Sequence, residues 1–279
     1  VSDRVGEARN SYERAIDLKP DFVEAHFGLG QVYAKLQDFE SAALCFEKTL
    51  ELEPEDVLGA SLELALLGRR QTPQRTPDRY MEEFYRKRSK TWGNRGDSSD
   101  RYGGHNLVMD AIEKTHTYQR KDEILDLGCG TGSLAEFLRP RALKLAGVDL
   151  SSDMLARAQT LGLYDSLEKA DLMRYLDDNH VSYDVIVAAA VLIHFLYLDQ
   201  IFALVKKRMK PGGSFVFSVF DQTDEKDGLN SFLLYSHSRG YVLSLADDCG
   251  FSVDYEQKGI HEYHEGKPIP ATVFVLKNP

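Results

Sequence analysis

The apolar residues of this chain follow one rhythm in the first 68 positions and another beyond residue 122. The first stretch repeats at an interval of 34 residues: Ala8 returns as Ala42, Tyr12 as Phe46 and Pro20 as Pro54. Leu29, Gly30 and Tyr33, set against Ala42 and Phe46, describe two helices meeting at a seam. Small Gly30 and Ala42 let the backbones approach while Tyr33 and Phe46 fill the gap, and Pro54 ends the second helix. Residues 68–78 (GRRQTPQRTPD) are polar, hold two prolines and lack a period, which reads as a linker. Tyr80, Met81, Phe84, Tyr85 and Arg88 then share one helical face, and Gly93 stops that helix just after Trp92. From Asp122 strands alternate with helices, the pattern of a parallel sheet. Strands are predicted at 123–127, 144–149, 181–189, 214–218, 253–258 and 272–277, and helices at 134–138, 152–161 and 198–207.

The spacings in residues 23–56 resemble one tetratricopeptide repeat (TPR), a helix-turn-helix unit. Residues 1–22 look like the second helix of a preceding repeat, and 57–67 like a degenerate capping helix. Repeats gain stability by stacking on neighbours, so an array this short is expected to pack on the rest of the chain, pair with a copy, or continue upstream. Its expected service is docking of a protein partner or self-association. The expected organisation is therefore a helical-repeat domain at 1–68, a linker at 69–78 and an α/β domain at 79–279 that opens with a lid helix. The glycine pair Gly103-Gly104 reads as a hinge for that lid, and its aromatic face reads equally as cement between the domains.

Composition narrows the partners. There are 34 Lys and Arg against 44 Asp and Glu, a net charge of -10, which works against nucleic acid and anionic membrane as partners. The run Arg86-Lys87-Arg88 is short and reads as a solvated helix face. Three cysteines, with no CxxC pair, fit neither a disulfide framework nor a zinc site. No apolar run approaches the roughly 20 residues needed to span a bilayer. The expectation is a cytoplasmic protein.

The chemistry concentrates where the first strand turns into a helix, in ILDLGCGTG. Gly128, Gly130 and Gly132 let backbone come close to a ligand, with free N–H groups at the helix start for an anionic group. Nicotinamide enzymes place GxGxxG in the same position, so the turn alone leaves a dinucleotide open. Here the spacing is GxGxG with Ser133 following, and Asp126 precedes the turn. A carboxylate there would repel a pyrophosphate but hydrogen-bond an ammonium, as in the methionine part of S-adenosylmethionine (SAM). Asp149 ends the second strand, where a carboxylate receives ribose hydroxyls, and Asp171 closes the third, in reach of an adenine amino group. Cys129, inside the turn, reads as a small packing residue.

From about Tyr80 onward the chain resembles a class I SAM-dependent methyltransferase, and more narrowly a bacterial family of TPR-containing methyltransferases. The residues carrying the resemblance are DLGCGTG, GVDLSSDMLARA, Gly162-Leu163-Tyr164-Asp165-Ser166-Leu167, Tyr183–Ala189, Pro211-Gly212-Gly213 with Phe217-Ser218, and Tyr235-Ser236-His237-Ser238. It implies a Rossmann-like, seven-stranded α/β sheet with a reversed last hairpin. It also implies SAM, with S-adenosylhomocysteine (SAH) as product, held against Asp126, Gly128, Gly130, Gly132, Asp149, Leu150, Met154, Asp171, Leu172 and Ala188, Met154 lying on the adenine or serving the core. Two positions depart from the family: Leu234 stands where Arg is frequent, and Ala188–His194 is apolar where polar or acidic residues are frequent. That region faces the acceptor, so this acceptor is expected to differ.

Methyl transfer needs alignment and exclusion of water, and a base only where the acceptor loses a proton. His194, after the fourth strand, is the first candidate for acid/base or orienting duty, and His237, in the 221–239 insertion, the second. Tyr235 and Arg239 are placed to hold a phenol or carboxylate or to cap a helix. His261 and His264 have a spacing that can bind metal, but they fall in a polar turn and no metal is expected. The resulting expectation is methyl transfer to a small-molecule acceptor, foremost at oxygen. A protein- or carrier-tethered acceptor recruited by the TPR unit, and a non-catalytic SAM-binding scaffold, are the alternatives.

Overall fold

The computed structural model describes residues 2–89, 103–115, 122–221, 228–264 and 266–279. Trp92, Gly93, Glu265 and residues 222–227 of the expected insertion lie outside the described residues, as does the side chain of His264. The chain forms two compact units, residues 1–83 with 229–234, and residues 84–228 with 235–279.

The first unit holds α1 (Ser2–Leu18), α2 (Val23–Lys35), α3 (Phe39–Leu52) and α4 (Ala60–Leu66). Asp38 caps α3 by accepting from Ser41 N at 3.2 Å, and α3 stops one residue before Glu53-Pro54. The α2–α3 seam is tight for the reason its spacing suggested. A Cβ on Gly30 would sit 2.7 Å from the Phe46 ring, and Ala42 and Phe46 are fully buried beside Leu64.

The second unit begins inside α5 (Asp78–Ser89) and continues with α6 (Gly104–Lys114). Then come β1 (Asp122–Leu127), α7 (Ala135–Leu138), β2 (Ala142–Asp149), α8 (Ser152–Thr160), β3 (Ser166–Lys169), α9 (Leu172–Asp178) and β4 (Tyr183–Ala188). The chain finishes with α10 (Asp199–Arg208), β5 (Met209–Asp221), β6 (Gly228–Leu229), β7 (Tyr235–His237), α11 (Arg239–Asp248), β8 (Ser252–His264) and β9 (Lys267–Lys277). The seven longer strands run β3-β2-β1-β4-β5-β9-β8, parallel except for β9, which pairs antiparallel with both β5 and β8. The expected reversed hairpin is therefore β8–β9. Buried phenylalanines from both sides of this join form the core: Phe215 and Phe217 stack at 4.5 Å, and Phe217 stacks on Phe274 at 5.5 Å.

Strand order reverses between β1 and β4: β1, β2 and β3 step one way, and β4 and β5 the other. Neighbouring connections leave on opposite faces there, which opens a crevice at the carboxyl ends of the strands. Among the described residues no helix is long and apolar enough to cross a membrane.

The elements differ from the sequence-based expectation where turn-forming residues lie inside strands. β5 starts at Met209, five residues before the expected 214, because Pro211-Gly212-Gly213 reads as a stop; Gly213 instead packs a Cβ-width from the Asp184 carbonyl, and the β4–β5 register shifts there. Gly103-Gly104 is not slack. Gly103 N donates to the His261 carbonyl, a Cβ on Gly103 would lie 2.9 Å from Ile260 O, and Gly104 opens α6. Close packing accounts for the first glycine of the pair.

Candidate active site

The loop after β1 needs positive φ three times in five residues: 66° at Gly128, 55° at Gly130 and 82° at Gly132. Side chains rarely adopt that conformation, and two of the three positions also lack room. A Cβ on Gly128 would lie 2.2 Å from Val191 Cγ2, and one on Gly132 would lie 2.7 Å from Leu161. Gly130 differs, since nothing lies within 4 Å of its would-be Cβ. Its backbone faces open space, and its N–H donates to Asp149 Oδ2 at 2.9 Å. The other Asp149 oxygen accepts from Ser151 N at 2.8 Å, so the carboxylate ties the glycine loop to the end of β2. Burial raises the Asp149 carboxyl above the usual range, and the backbone donors of Ser151, Gly130 and Leu150 pull against it.

Asp126 lies beneath the loop and is 2% exposed. Tyr164 donates to its Oδ2 at 2.7 Å, with its ring packed against Gly132 and Gly147. Burial pushes the Asp126 carboxyl up to about 7; the charge of Asp149 adds to this, and the Tyr164 hydrogen bond opposes it. Buried Cys129 has its thiol raised by the same burial, which leaves it unreactive, as a packing residue would be.

Asp171 caps α9: its Oδ1 accepts from Met173 N at 3.1 Å and Arg174 N at 3.0 Å. Leu150 and Asp171 line a cleft of about 920 Å³ that runs beside α9 past Ile124, Ala146 and Tyr175. The glycine loop, Asp149, Met154, Leu172 and Ala188 do not line it. Met154 is buried on α8 and Ala188 is buried at the end of β4, while Leu172 is half-buried at the start of α9.

The chain leaves β4 by an uncommon route. Ala190 takes φ 57° without being glycine, and Ser218 Oγ holds it by accepting from Ala190 N at 3.1 Å. A non-glycine residue in this region is strained and persists only where its surroundings enforce it. The turn carries Val191 onto Gly128, and a single 3₁₀ turn, Leu192–His194, follows. His194 is 6% exposed. Tyr85 Oη of α5 is 2.7 Å from its Nε2, the rings meeting edge-on at 5.6 Å. Burial lowers the His194 pKa to about 4, so the ring is neutral at pH 7.

His237, on β7, is 1% exposed and its Nε2 donates to the Phe195 carbonyl at 2.9 Å. Its ring stacks on Tyr241 at 5.9 Å, so His237 braces the residue that follows His194. Tyr235 is fully buried, and Arg239 pairs with Glu256 at 2.9 Å. His261 is buried 4.9 Å from the Phe220 ring, its pKa lowered to about 3 by burial and by nearby His105 and Arg88. Among the described residues no three His, Cys, Asp or Glu side chains gather as a metal site.

The structure thus gathers Asp126, the glycines and Asp149 around one loop, and has His237 of β7 brace Phe195, the residue that follows His194 on another. The Tyr85–His194 contact was not legible beforehand: its partners are 109 residues apart and Tyr85 read only as part of an aromatic face. Tyr164 stood in a quoted motif without a role. Nothing in Ala190 itself signals a positive φ.

The methyltransferase-domain family model matches residues 80–256, and TPR models match 3–37 and 23–56. The chain is 28% identical over 177 residues to a ubiquinone biosynthesis O-methyltransferase of Nitrosococcus oceani, covering 62% of this chain and 68% of that one. It is 26% identical to a sterol 24-C-methyltransferase of Saccharomyces cerevisiae, covering 61% of this chain and 47%, less than half, of the yeast protein. Among solved structures, the 1,6-didemethyltoxoflavin-N1-methyltransferase of Burkholderia thailandensis has the same fold, with a TM-score of 0.56 at 16% identity, covering 72% of this chain and 86% of that one. With more than half of its length inside the family model, behind an N-terminal TPR segment, the chain belongs to the methyltransferase-domain family.

Proposed function

We infer that the protein binds SAM at the carboxyl ends of β1 to β3 and methylates a small-molecule acceptor, foremost at oxygen, beside His194. The observation that carries this reading is the pairing of an open Gly130 notch, tied to Asp149, with a buried neutral imidazole one loop away. Among the three relatives the printed names point to oxygen, carbon and nitrogen acceptors, and a nitrogen base at His194 supports an acceptor that surrenders a proton, foremost a hydroxyl.

The residues present fit SAM. Gly128, Gly130 and Gly132 offer backbone that approaches a ligand without side-chain obstruction, and Asp149 offers a carboxylate for ribose hydroxyls. Leu150 and Asp171 line the cleft beside α9, where Asp171 is placed to accept from an adenine amino group. Met154 and Ala188 are buried and back the site from the core, and Asp126, 2% exposed and held by Tyr164, supports the loop from beneath rather than meeting the ammonium. When bound, SAM supplies a methyl group on a sulfonium, an electrophile that needs no activation by the protein. The chain's own work is alignment, exclusion of water by the α5 aromatics, and proton removal at His194 Nε2. His237 holds the His194 loop in place through Phe195.

The TPR unit serves docking or assembly. Its exposed Leu18 (80%), Leu36 (49%), Phe39 (48%) and Leu44 (67%) support a surface that a protein partner covers. The acidic balance supports a partner other than nucleic acid.

The test is turnover. Purified protein with SAM and a panel of hydroxyl, amine and carboxyl acceptors should form SAH with a hydroxyl compound, and His194→Ala should lose at least about 100-fold in kcat. SAM binding by calorimetry without SAH from any acceptor would leave the scaffold alternative standing.

A further inference from the structure

Where α5 meets the loop after β4, a phenol hydroxyl lies 2.7 Å from an imidazole nitrogen. Imidazole nitrogen is a far better acceptor than phenol oxygen, so Tyr85 donates and His194 Nε2 carries the lone pair. This is the hydrogen bond that a hydroxyl acceptor has to make before it can lose its proton to His194. We propose that Tyr85 is a placeholder for the acceptor, and that the acceptor is a flat ring bearing a hydroxyl group which displaces the Tyr85 phenol and takes over its hydrogen bond to His194. The proposal rests on reading His194 as the residue that faces the acceptor.

Three observations define that chemical class. First, the place is aromatic: the Tyr85 ring meets His194 edge-on and Phe84 at 5.2 Å and 90°. A planar ring satisfies such walls, and edge-to-face contacts reward it. Second, the place favours a neutral group. The imidazole is uncharged, and Arg88, one turn along α5, is already paired with Glu262 at 3.1 Å. A carboxylate brought there would lose its hydration and would have to compete with Glu262 for Arg88. Third, displacement asks little of the backbone. Tyr85 is half-buried whereas His194 is buried, so the phenol can swing toward solvent. Meanwhile Arg88–Glu262 and the Arg157 bond to the Ser89 carbonyl keep the end of α5 in place.

The probe is p-cresol, which reproduces the tyrosine side chain, with 4-methylanisole as the same ring lacking the donor. Both are titrated into the full chain and into Tyr85→Ala and Tyr85→Phe, following the His194 ring nitrogens by NMR; SAM binding by calorimetry certifies that each variant is folded. In Tyr85→Ala, p-cresol is expected to shift the His194 Nε2 signal and to bind about fivefold or more tighter than in the unaltered protein, the worth of one released hydrogen bond. Tyr85→Phe, which frees Nε2 while keeping the ring, should shift in the same direction by less, and 4-methylanisole should leave Nε2 unmoved. A folded Tyr85→Ala in which p-cresol leaves Nε2 unshifted, or in which 4-methylanisole binds as well, overturns the placeholder. So does a Tyr85→Phe enzyme with kcat abolished and KM unchanged, since Tyr85 would then carry protons rather than hold a place. The two readings fail separately. A p-cresol shift at His194 with no methyl transfer to any acceptor removes the proposed activity and keeps the placeholder; SAH formed only with amines or carboxylates, without p-cresol binding, removes the placeholder and keeps the activity.

Discussion

The loops after β1 and β4 meet at one end of the sheet, with Val191 laid over Gly128, yet they solve the same backbone problem in opposite ways. Each must turn sharply with positive φ. The β1 loop assigns every such position to glycine, whereas the β4 loop uses Ala190 and holds it with Ser218. The first solution depends on composition alone and any ligand that needs close backbone can share it. The second depends on a particular neighbour and shapes a particular space, with His194 at its end. On the proposed function, the β1 side serves the methyl donor and the β4 side the acceptor.

The sharpest way to break the contrast is to exchange the two residue types. Gly128→Ala adds a Cβ 2.2 Å from Val191 to a residue at φ 66°, and should cost about 3 kcal/mol from backbone strain and overpacking together. Ala190→Gly should stay within about 1 kcal/mol of the unaltered protein, because relief of strain offsets the added freedom of the unfolded chain. Urea denaturation of both variants checks this, and equal losses would mean that the Ala190 turn is not strained.

The two loops should also respond to pH with opposite sign. Asp126 has a folded pKa raised from 3.8 to about 7, so its contribution is full below 3.8 and is lost as pH rises toward 7. His194 has a folded pKa lowered from 6.5 to about 4, so its contribution is full above 6.5 and is lost as pH falls toward 4. Relative to the unaltered protein, Asp126→Asn should gain stability between pH 5 and pH 7, and His194→Gln should lose less on acidification over the same window, each by an amount on the order of 2 kcal/mol. Buried His105 and His261 titrate in the same direction as His194 and are common to both variants, so the differences isolate the two loops. Thermal melts at stepped pH read this directly.

Smaller effects complete the series. Ser218→Ala leaves Ala190 N without its acceptor and should cost about 1–2 kcal/mol, with a fall in kcat that SAM affinity does not share. Arg239→Ala breaks an exposed pair with Glu256 and should change stability by less than about 1 kcal/mol. A large loss of activity in that variant would return Arg239 to the acceptor site.

What the chain reveals in advance follows the same division. β1 and β4 were legible because strands buried on both faces read as nearly continuous apolar runs, and β2 through the short apolar stretch Leu145–Val148 before Asp149. The glycine loop was legible because three positive φ angles demand three glycines. β3 was expected only through Asp171 and without bounds, and it ends at Lys169, before Asp171: Ser166–Lys169 is four residues long, mostly exposed, and lies at the sheet's edge. β5 was truncated because Pro211-Gly212-Gly213 carries turn residues inside a strand. In the site, Asp149 could be placed from its position at a strand end, but Asp171 also caps a helix, a role that needs the start of α9 to be known. Tyr85 and His194 meet only through the fold.

The measurement that tests the account most directly is SAH affinity, by calorimetry, of Asp149→Asn and His194→Asn side by side. The account predicts that Asp149→Asn binds SAH at least about tenfold more weakly while His194→Asn binds it as the unaltered protein does, having lost turnover alone. If His194→Asn weakens SAH as much as Asp149→Asn, or if Asp149→Asn binds it unchanged, the division between a donor side at β1 and an acceptor side at β4 is wrong.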